Sequence, residues 1–452
     1  MNAPGHRGRV VVIGGGVGGL AAAYRAQQNG FAVTLLEASD RIGGKAFTMR
    51  HDGYFFERGA SILPSAYDAV ISIIREIEMG DALVPGGSVI GFAKNDGIHY
   101  MDSAHLFRDA ATTRLLSFKS KLLMTRLMRD GLRMRNSINY ENLSLAAEYD
   151  TETAAEYCKR RLNDEIRDYI VDGTLRGMLG TEAKDQSVVD FFFCFSRLLG
   201  TQLYTLKDGI DSYPKALARH VSDIRLGARV EGIEERDDGV HVHWRDASGG
   251  AHREEADGCI VAVNAHLTAK LFAQLDAESR SFLAQLRYTD AITVNAALSK
   301  PPKDVPASVI QIPNCVDRGL FALTLEHHKC PTSVPPGKGG MGYYLMSHWS
   351  QELMDADDEK VKRDVIEAGN KVLPGVDRDI TFMNVNRWSE VVTYNAPGTY
   401  RRLAAFIQRI QRHRRVKLAG DYFSVSNLNT ATTAGVRAAR ELAATLSPEH
   451  QR

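Results

Sequence analysis

The stretch Arg9-Val10-Val11-Val12-Ile13-Gly14-Gly15-Gly16-Val17-Gly18-Gly19 restricts the fold more than any other part of the chain. A short β-branched run enters a glycine cluster and leaves into an alanine-rich segment that predicts a helix from Leu20 to about Asn29. Gly14, Gly16 and Gly19 fit the spacing G-x-G-x-x-G. The first glycine permits a tight turn, the second lets backbone approach a pyrophosphate, and the third lets helix pack closely on strand. The helix start then offers unpaired N–H groups and a positive dipole end to phosphates. A second strand, Ala32 to Leu36, ends in Glu37, 18 residues after Gly19. A carboxylate there can accept hydrogen bonds from both hydroxyls of a ribose.

The same glycine spacing recurs at Gly337, Gly339 and Gly342. These follow Pro335-Pro336 instead of a strand, so a flexible loop is expected. Order of elements, not glycine spacing alone, distinguishes the two copies.

A chain of 452 residues is too long for one compact core, and two or three domains are expected. A net charge of +1 gives no global attraction to nucleic acid. Cys158, Cys194, Cys259, Cys315 and Cys330 are scattered, without a C-x-x-C pair, and read as reduced thiols, neither a disulfide framework nor a zinc site. Met1 to Gly8 is short and polar, so no signal peptide is expected, and the chain holds no apolar span of 18 residues. Together these point to a cytoplasmic protein.

Beyond Glu37 lies Arg41-Ile42-Gly43-Gly44-Lys45, then a hairpin pattern through His51 to Ala60. Two glycines after an arginine imply backbone pressed against a ligand, with Arg41 available to a phosphate or ring carbonyl. From about Ala104 to Leu199 the pattern is helical. Within it, Thr113 to Asn136 carries seven Lys or Arg residues against one acid, Asp130, among leucines and methionines at helical spacing. That pattern fits a solvated helix of a substrate domain, or weak peripheral contact with a membrane surface. Strand-like runs follow Ile224, and His241 and His243 alternate on one of them; without a third ligand nearby they read as surface residues, and no metal is expected. The strand Arg415 to Asp421 and a small-residue helix from Asn429 to Leu446 close the chain.

Taken together, V-V-I-G-G-G-V-G-G-L, Glu37, Arg41-x-Gly43-Gly44 and Gly59-Ala60 resemble the FAD-binding N-terminus of one flavoprotein superfamily. It comprises flavin amine oxidases, protoporphyrinogen oxidases and phytoene-type desaturases. The resemblance recurs at Arg229-Val230-x-x-Ile233, Leu418-Ala419-Gly420-Asp421 and Ala431-x-x-Ala434-Gly435. It implies an α/β fold in which a discontinuous Rossmann-like FAD-binding domain (1–90, 205–285 and 386–452) carries an α+β substrate domain (91–204 and 286–385). It implies non-covalent FAD held by Gly14, Gly16, Gly18, Gly19, Glu37, Ala38, Arg41, Gly43, Gly44, Lys45, Gly59 and Ala60. To these it adds Val230 at the adenine, Gly420 and Asp421 at the ribityl or pyrophosphate part, and Thr430, Ala431 and Thr432 at a helix N-terminus beside the flavin pyrimidine edge.

Departures from the family pattern bear on the chemistry. Amine oxidases of the superfamily usually carry a lysine on the strand matching about Thr289 to Leu298, and none is present here. No cysteine follows Cys330, which excludes a thioether to flavin in that region. Tyr394 could form one wall of an aromatic cage, but Asn427 falls where the second tyrosine would be, and Leu428 to Gly435 is closer to protoporphyrinogen oxidases. Without a convincing second dinucleotide motif, a small-molecule substrate is expected to reduce the flavin, and dioxygen or a quinone to reoxidise it. The expected reaction removes two hydrogens across a C–C bond of an apolar or cyclic substrate, hydride passing to flavin N5. Oxidation of a C–N bond is the alternative, and a non-catalytic flavin-binding protein a third. Tyr394, His348 and Tyr344 are the candidates for handling protons.

Overall fold

The β-branched run Arg9–Ile13 forms the middle of a five-stranded sheet in the order Asp223–Arg225, Ala32–Leu36, Arg9–Ile13, Gly258–Val261, Val416–Leu418. All its pairings are parallel. Such a sheet is covered on both faces, which explains the nearly continuous apolar character of its central strands. The computed structural model describes residues 7–447; most of the polar Met1–Gly8 stretch and the last five residues of the expected third cofactor segment lie outside the described residues.

The first helix spans Val17–Gln28, so it starts directly after Gly16 and not at Leu20 as expected. Gly18 and Gly19 lie inside its first turn because packing overrides their low helix propensity. A Cβ on Gly19 would stand 1.8 Å from the Gly14 carbonyl oxygen, which strand and helix could not both accommodate. The last helix, Leu428–Thr445, packs across the first. A separate three-stranded antiparallel sheet is formed by Arg229–Glu235, Val240–Arg245 and Ala251–Ala256. His241 and His243 sit on it beside Glu255 and Glu234. Among the described residues no group of three potential metal-binding side chains comes together.

A seven-stranded sheet forms the second body: Ile380–Trp388, Ala291–Leu298, Gly339–Leu345, Leu320–Leu325, Val309–Gln311, Val89–Lys94, Gly97–Asp102. One face buries Ile292, Val294, Ala296, Leu298 and Tyr343 against Val361, Val365 and Ala368 of the helix Asp358–Val372. The alternate residues face the other way, as strand geometry requires. Thr293 stands opposite both Tyr344 and Asn386, and Ala291 opposite Trp388. The expected boundaries at 90/91 and 385/386 therefore fall within strands of this sheet.

Gly337, Gly339 and Gly342 do not form a loop. Gly337 takes a turn at φ +76°, but Gly339–Leu345 is a buried strand. The glycines are there because neighbours crowd the strand. A Cβ at Gly339 would lie 2.8 Å from Pro301 Cα, and one at Gly342 2.5 Å from Thr324 Oγ1.

Helices Phe118–Met134, Ala154–Arg161, Asp172–Leu179 and Val188–Leu198 share the core of the parallel-sheet body, and Asp172–Leu179 also packs on the strand Leu320–Leu325 of the seven-stranded sheet. In the basic helix, Asp130 faces inward to Arg161 at 2.9 Å and the Tyr157 hydroxyl at 3.0 Å. Phe118, Leu122 and Leu132 point outward. No helix among the described residues is long and apolar enough to cross a membrane.

Candidate active site

A cavity of about 660 Å³ runs from the glycine turn after the first strand to the seven-stranded sheet. At its first end Gly14 adopts φ +102°, and a Cβ there would meet the Ala262 carbonyl oxygen at 2.5 Å. Gly16 has no atom within 4 Å of where its Cβ would be, leaving its backbone open to the cavity. The Arg41-x-Gly43-Gly44 loop lies on this turn through Gly43 N–H donating to the Gly15 carbonyl at 2.8 Å. Gly43 and Gly44 both take positive φ, +98° and +57°. Glu37 accepts from Gly15 N–H at 2.5 Å and from Ser39 N–H at 2.8 Å, which aims its carboxylate along the cavity wall. The result is a groove of backbone and one carboxylate, the surface a dinucleotide requires.

Further along, Asn427 caps the last helix by accepting from Thr430 N–H at 2.9 Å, and Ser426, Asn427, Leu428 and Ala431 line the cavity. Gly420 and Asp421 line the same wall. Opposite, the Lys45 ammonium donates to the carbonyls of Glu390 at 2.5 Å and Val391 at 2.8 Å. Burial lowers the Lys45 pKa, and the charges of Asp421 and Glu390 partly restore it.

Beyond Gly59 and Ala60 the cavity widens into a chamber with mostly apolar walls: Ile62, Pro64, Ile90, Met178, Leu179, Leu198, Leu203, Val309, Phe321 and Leu345. Its polar groups are few, among them Arg58, Asp290, Thr293, Gln311 and Tyr344. The Tyr344 hydroxyl is buried and has no hydrogen-bond partner among the described residues. The cavity-facing residue beside Trp388 on the strand Ala291–Leu298 is Ala291, a side chain without charge.

The cavity thus brings together Gly14, Gly16, Gly18, Glu37, Gly43, Gly44, Lys45, Gly59, Ala60, Gly420, Asp421 and Ala431. Others of the expected set stand apart from it. Gly19 serves the helix–strand contact. Ala38 is exposed, Val230 is buried against its own small sheet, and the Arg41 guanidinium turns back to the Gly44 carbonyl at 2.9 Å. Thr430 and Thr432 are fully buried, the Thr430 hydroxyl donating to the Val425 carbonyl at 2.6 Å.

Two expected proton-handling residues fall outside the cavity lining. His348 is exposed on the helix Ser347–Leu353, whose inward position is taken by Ser347. Tyr394 belongs to a two-stranded pairing opposite Arg287, whose guanidinium carbon lies 5.1 Å from the tyrosine ring. Of the three candidates, only Tyr344 lines the chamber. Arg58 and Gln311 were missed from the sequence. Arg58 sits in Glu57-Arg58-Gly59-Ala60, next to the glycine that draws attention, whereas Gln311 comes from an isolated three-residue strand with no distinguishing pattern.

A parallel sheet with a glycine turn, a carboxylate at the end of its second strand, and a long groove leading to an apolar chamber define a flavin-dependent oxidoreductase fold. The chain belongs to the flavin containing amine oxidoreductase family, whose profile matches residues 17–443. It is similar to coproporphyrinogen III oxidase of Bacillus subtilis, with 23% identity over 428 residues covering 84% of this chain and 86% of the relative. The corresponding enzyme of Staphylococcus aureus is 24% identical over 487 residues, covering 97% and 99% of the two chains. In structure it resembles the cyclohexylamine oxidase from Brevibacterium oxydans, with a TM-score of 0.75 at 17% identity over 98% of this chain and all (100%) of that one. It is an oxidoreductase that uses flavin to exchange electrons between a small-molecule substrate and an acceptor.

Proposed function

We propose that this chain is an FAD-dependent oxidase or dehydrogenase that removes two hydrogens across a C–C bond of an apolar or cyclic substrate. The observation that carries this reading is the chamber itself. Its walls are overwhelmingly apolar, and the strand bordering it, Ala291–Leu298, carries no lysine, the residue that amine oxidases of the superfamily usually place on the matching strand. The curated relatives named as coproporphyrinogen III oxidases are in keeping with a cyclic substrate.

The residues present fit FAD. The Gly14–Gly16 turn and Glu37 would hold pyrophosphate and ribose, and Asp421 the ribityl end. The capped N-terminus of the helix Leu428–Thr445 lines the groove and would favour negative charge on a flavin held beside it. Among the described residues no cysteine lines the cavity, which supports non-covalent binding. Bound FAD supplies the hydride acceptor. The chain's own part is to hold the substrate in an apolar enclosure, to exclude water, and to offer the Tyr344 hydroxyl as hydrogen-bond or proton partner. The hydroxyl's hydrogen-bonding capacity is unspent among the described residues, and because its oxygen is shut off from solvent a turn of the ring would have to bring it to a ligand.

The reoxidant in this reading is dioxygen or a quinone, and the compartment is the cytoplasm. The outward stripe of Phe118, Leu122 and Leu132, flanked by Lys119, Arg126 and Arg129, supports weak contact with an anionic membrane surface. Vesicle flotation at low salt tests that contact, and absence of binding removes it.

The decisive experiment is an anaerobic titration of the flavin-loaded protein with cyclic ketones and polyenes in one panel and primary and secondary amines in the other. Bleaching of the flavin by the first panel alone supports C–C oxidation. Bleaching by amines alone overturns it in favour of C–N oxidation. No reduction by either panel favours a binding role without turnover.

A further inference from the structure

Arg58 occupies an unusual position at the junction of groove and chamber. Its backbone carbonyl accepts from the Trp388 indole N–H at 2.6 Å and from the Thr293 hydroxyl at 3.3 Å. Its Nε donates to Asn386 Oδ1 at 2.5 Å. Asn386 is itself fully buried and fixed, with Nδ2 donating to Asn295 Oδ1 at 2.8 Å and to the Thr293 carbonyl at 3.3 Å. The guanidinium carbon lies 5.2 Å from the Phe47 ring and 5.7 Å from Trp388. The arginine is therefore held at its carbonyl, at Nε and along its planar faces.

What it lacks is an acceptor for its terminal nitrogens. Among the described residues no carboxylate lies within ion-pair distance of Arg58, and its charged neighbour across the Phe47 ring is a second cation, Arg41. Burial and Arg41 both lower its pKa, consistent with an uncompensated cation. The other basic side chain lining the cavity, Lys45, is already capped by two carbonyls. Asp290, an acid of the cavity lining, has one oxygen taken by the Gln351 amide at 3.0 Å and the other by Glu390 N–H at 3.4 Å. The chamber thus presents one immobilised cation with open donors against apolar walls. A rigid guanidinium fork of this kind matches a carboxylate bidentately.

We propose that Arg58 anchors a single carboxylate on an otherwise apolar substrate whose body fills the chamber. The inference rests on the chamber being the substrate site, but it adds the substrate's charge and the residue that selects it. A multiply charged acid is disfavoured, because the chamber holds no second open cation for it. Asn386 acts as a positioning residue for Arg58.

The test uses the oxidised, flavin-loaded protein and redox-inert probes of equal length: decanoate, decanol and decyltrimethylammonium. Binding is followed by calorimetry and by perturbation of the flavin spectrum. Decanoate should bind at least about tenfold more tightly than decanol, and the cation weakest. Arg58→Met should abolish that preference while retaining flavin and decanol affinity, and Arg58→Lys should keep part of it. Equal affinity of the wild type for decanoate and decanol overturns the proposal while leaving the chamber reading intact. Failure of every probe to bind overturns both. Arg58→Met losing flavin, or losing flavin affinity while keeping the decanoate preference, assigns the guanidinium to the cofactor and overturns the proposal as well.

Discussion

Gly435 of the last helix packs so closely on Gly18 of the first that a Cβ at Gly435 would stand 2.1 Å from the Gly18 carbonyl oxygen. The same added carbon would lie 3.0 Å from the Ala22 nitrogen. Both obstacles are helix backbone, which cannot rotate aside. Gly435→Ala must therefore push the helices apart, and with them Ala431 and the capped N-terminus that line the cavity. We expect a loss of about 1–3 kcal/mol in stability and a lower ratio of flavin to protein after gel filtration, checked by thermal denaturation and absorbance.

Asp190 gives a pH dependence with a definite sign. It is fully buried, accepts from Asn395 Nδ2 at 3.0 Å and pairs with the Tyr400 hydroxyl. Burial pushes its pKa up to about 8. Between the unfolded value near ~4 and about 8, the native state holds a proton that the unfolded state has released. Its contribution is complete below that window and declines as pH rises through it. Asp190→Asn keeps a neutral side chain of the same shape. The melting temperature of the variant should fall less between pH 5 and 8 than that of the wild type, and identical slopes would refute the assignment.

The ion pair Lys329–Glu326 is almost wholly excluded from water, with Nζ 2.7 and 2.9 Å from the two carboxylate oxygens. Glu326 also accepts from the Thr324 hydroxyl at 2.6 Å. Lys329→Met strands a buried carboxylate, and we expect a destabilisation of about 3–5 kcal/mol. The double variant Lys329→Met/Glu326→Gln should recover part of that loss. Chemical denaturation of the three proteins makes the comparison.

Tyr344 and His348 are separated by four positions in the sequence but differ in access to the chamber. Tyr344→Phe removes a buried hydroxyl without a partner among the described residues, so folding stability should not fall and should rise by about 1 kcal/mol. The rate of flavin reduction by substrate should drop by about 100-fold or more if the hydroxyl moves a proton. His348→Ala should leave that rate within about twofold, because the imidazole is exposed outside the cavity. Stopped-flow reduction under anaerobic conditions separates the two.

How much was legible in the sequence depended on how local the determinant was. Gly14, Gly16 and Glu37 are close in the chain, and each has a backbone or charge requirement that can be read without partners. The substrate side is assembled by strand register instead. Thr293, Tyr344 and Asn386 meet because three strands align, and nothing within any one strand announces it. Gly339 and Gly342 misled for the same reason, since their small size serves Pro301 and Thr324, which approach from other segments. Tyr394 and His348 carry reactive groups near cavity residues in sequence, but strand alternation and helix phase turn them away. Arg58 went unnoticed because its importance lies in what does not pair with it.

The parallel sheet draws its edge strand from Val416–Leu418, and the groove takes part of its wall from the helix that follows. During synthesis the glycine turn and Glu37 emerge long before Val416–Leu418 and the helix Leu428–Thr445, which finish the groove they begin. Flavin capture must therefore await synthesis of the helix Leu428–Thr445. A nascent chain halted before Val416 would expose the Gly258–Val261 strand as an open edge, a surface on which chaperones or aggregation act. Yellow colour in a cell extract would then report molecules in which that distant helix has been made and docked.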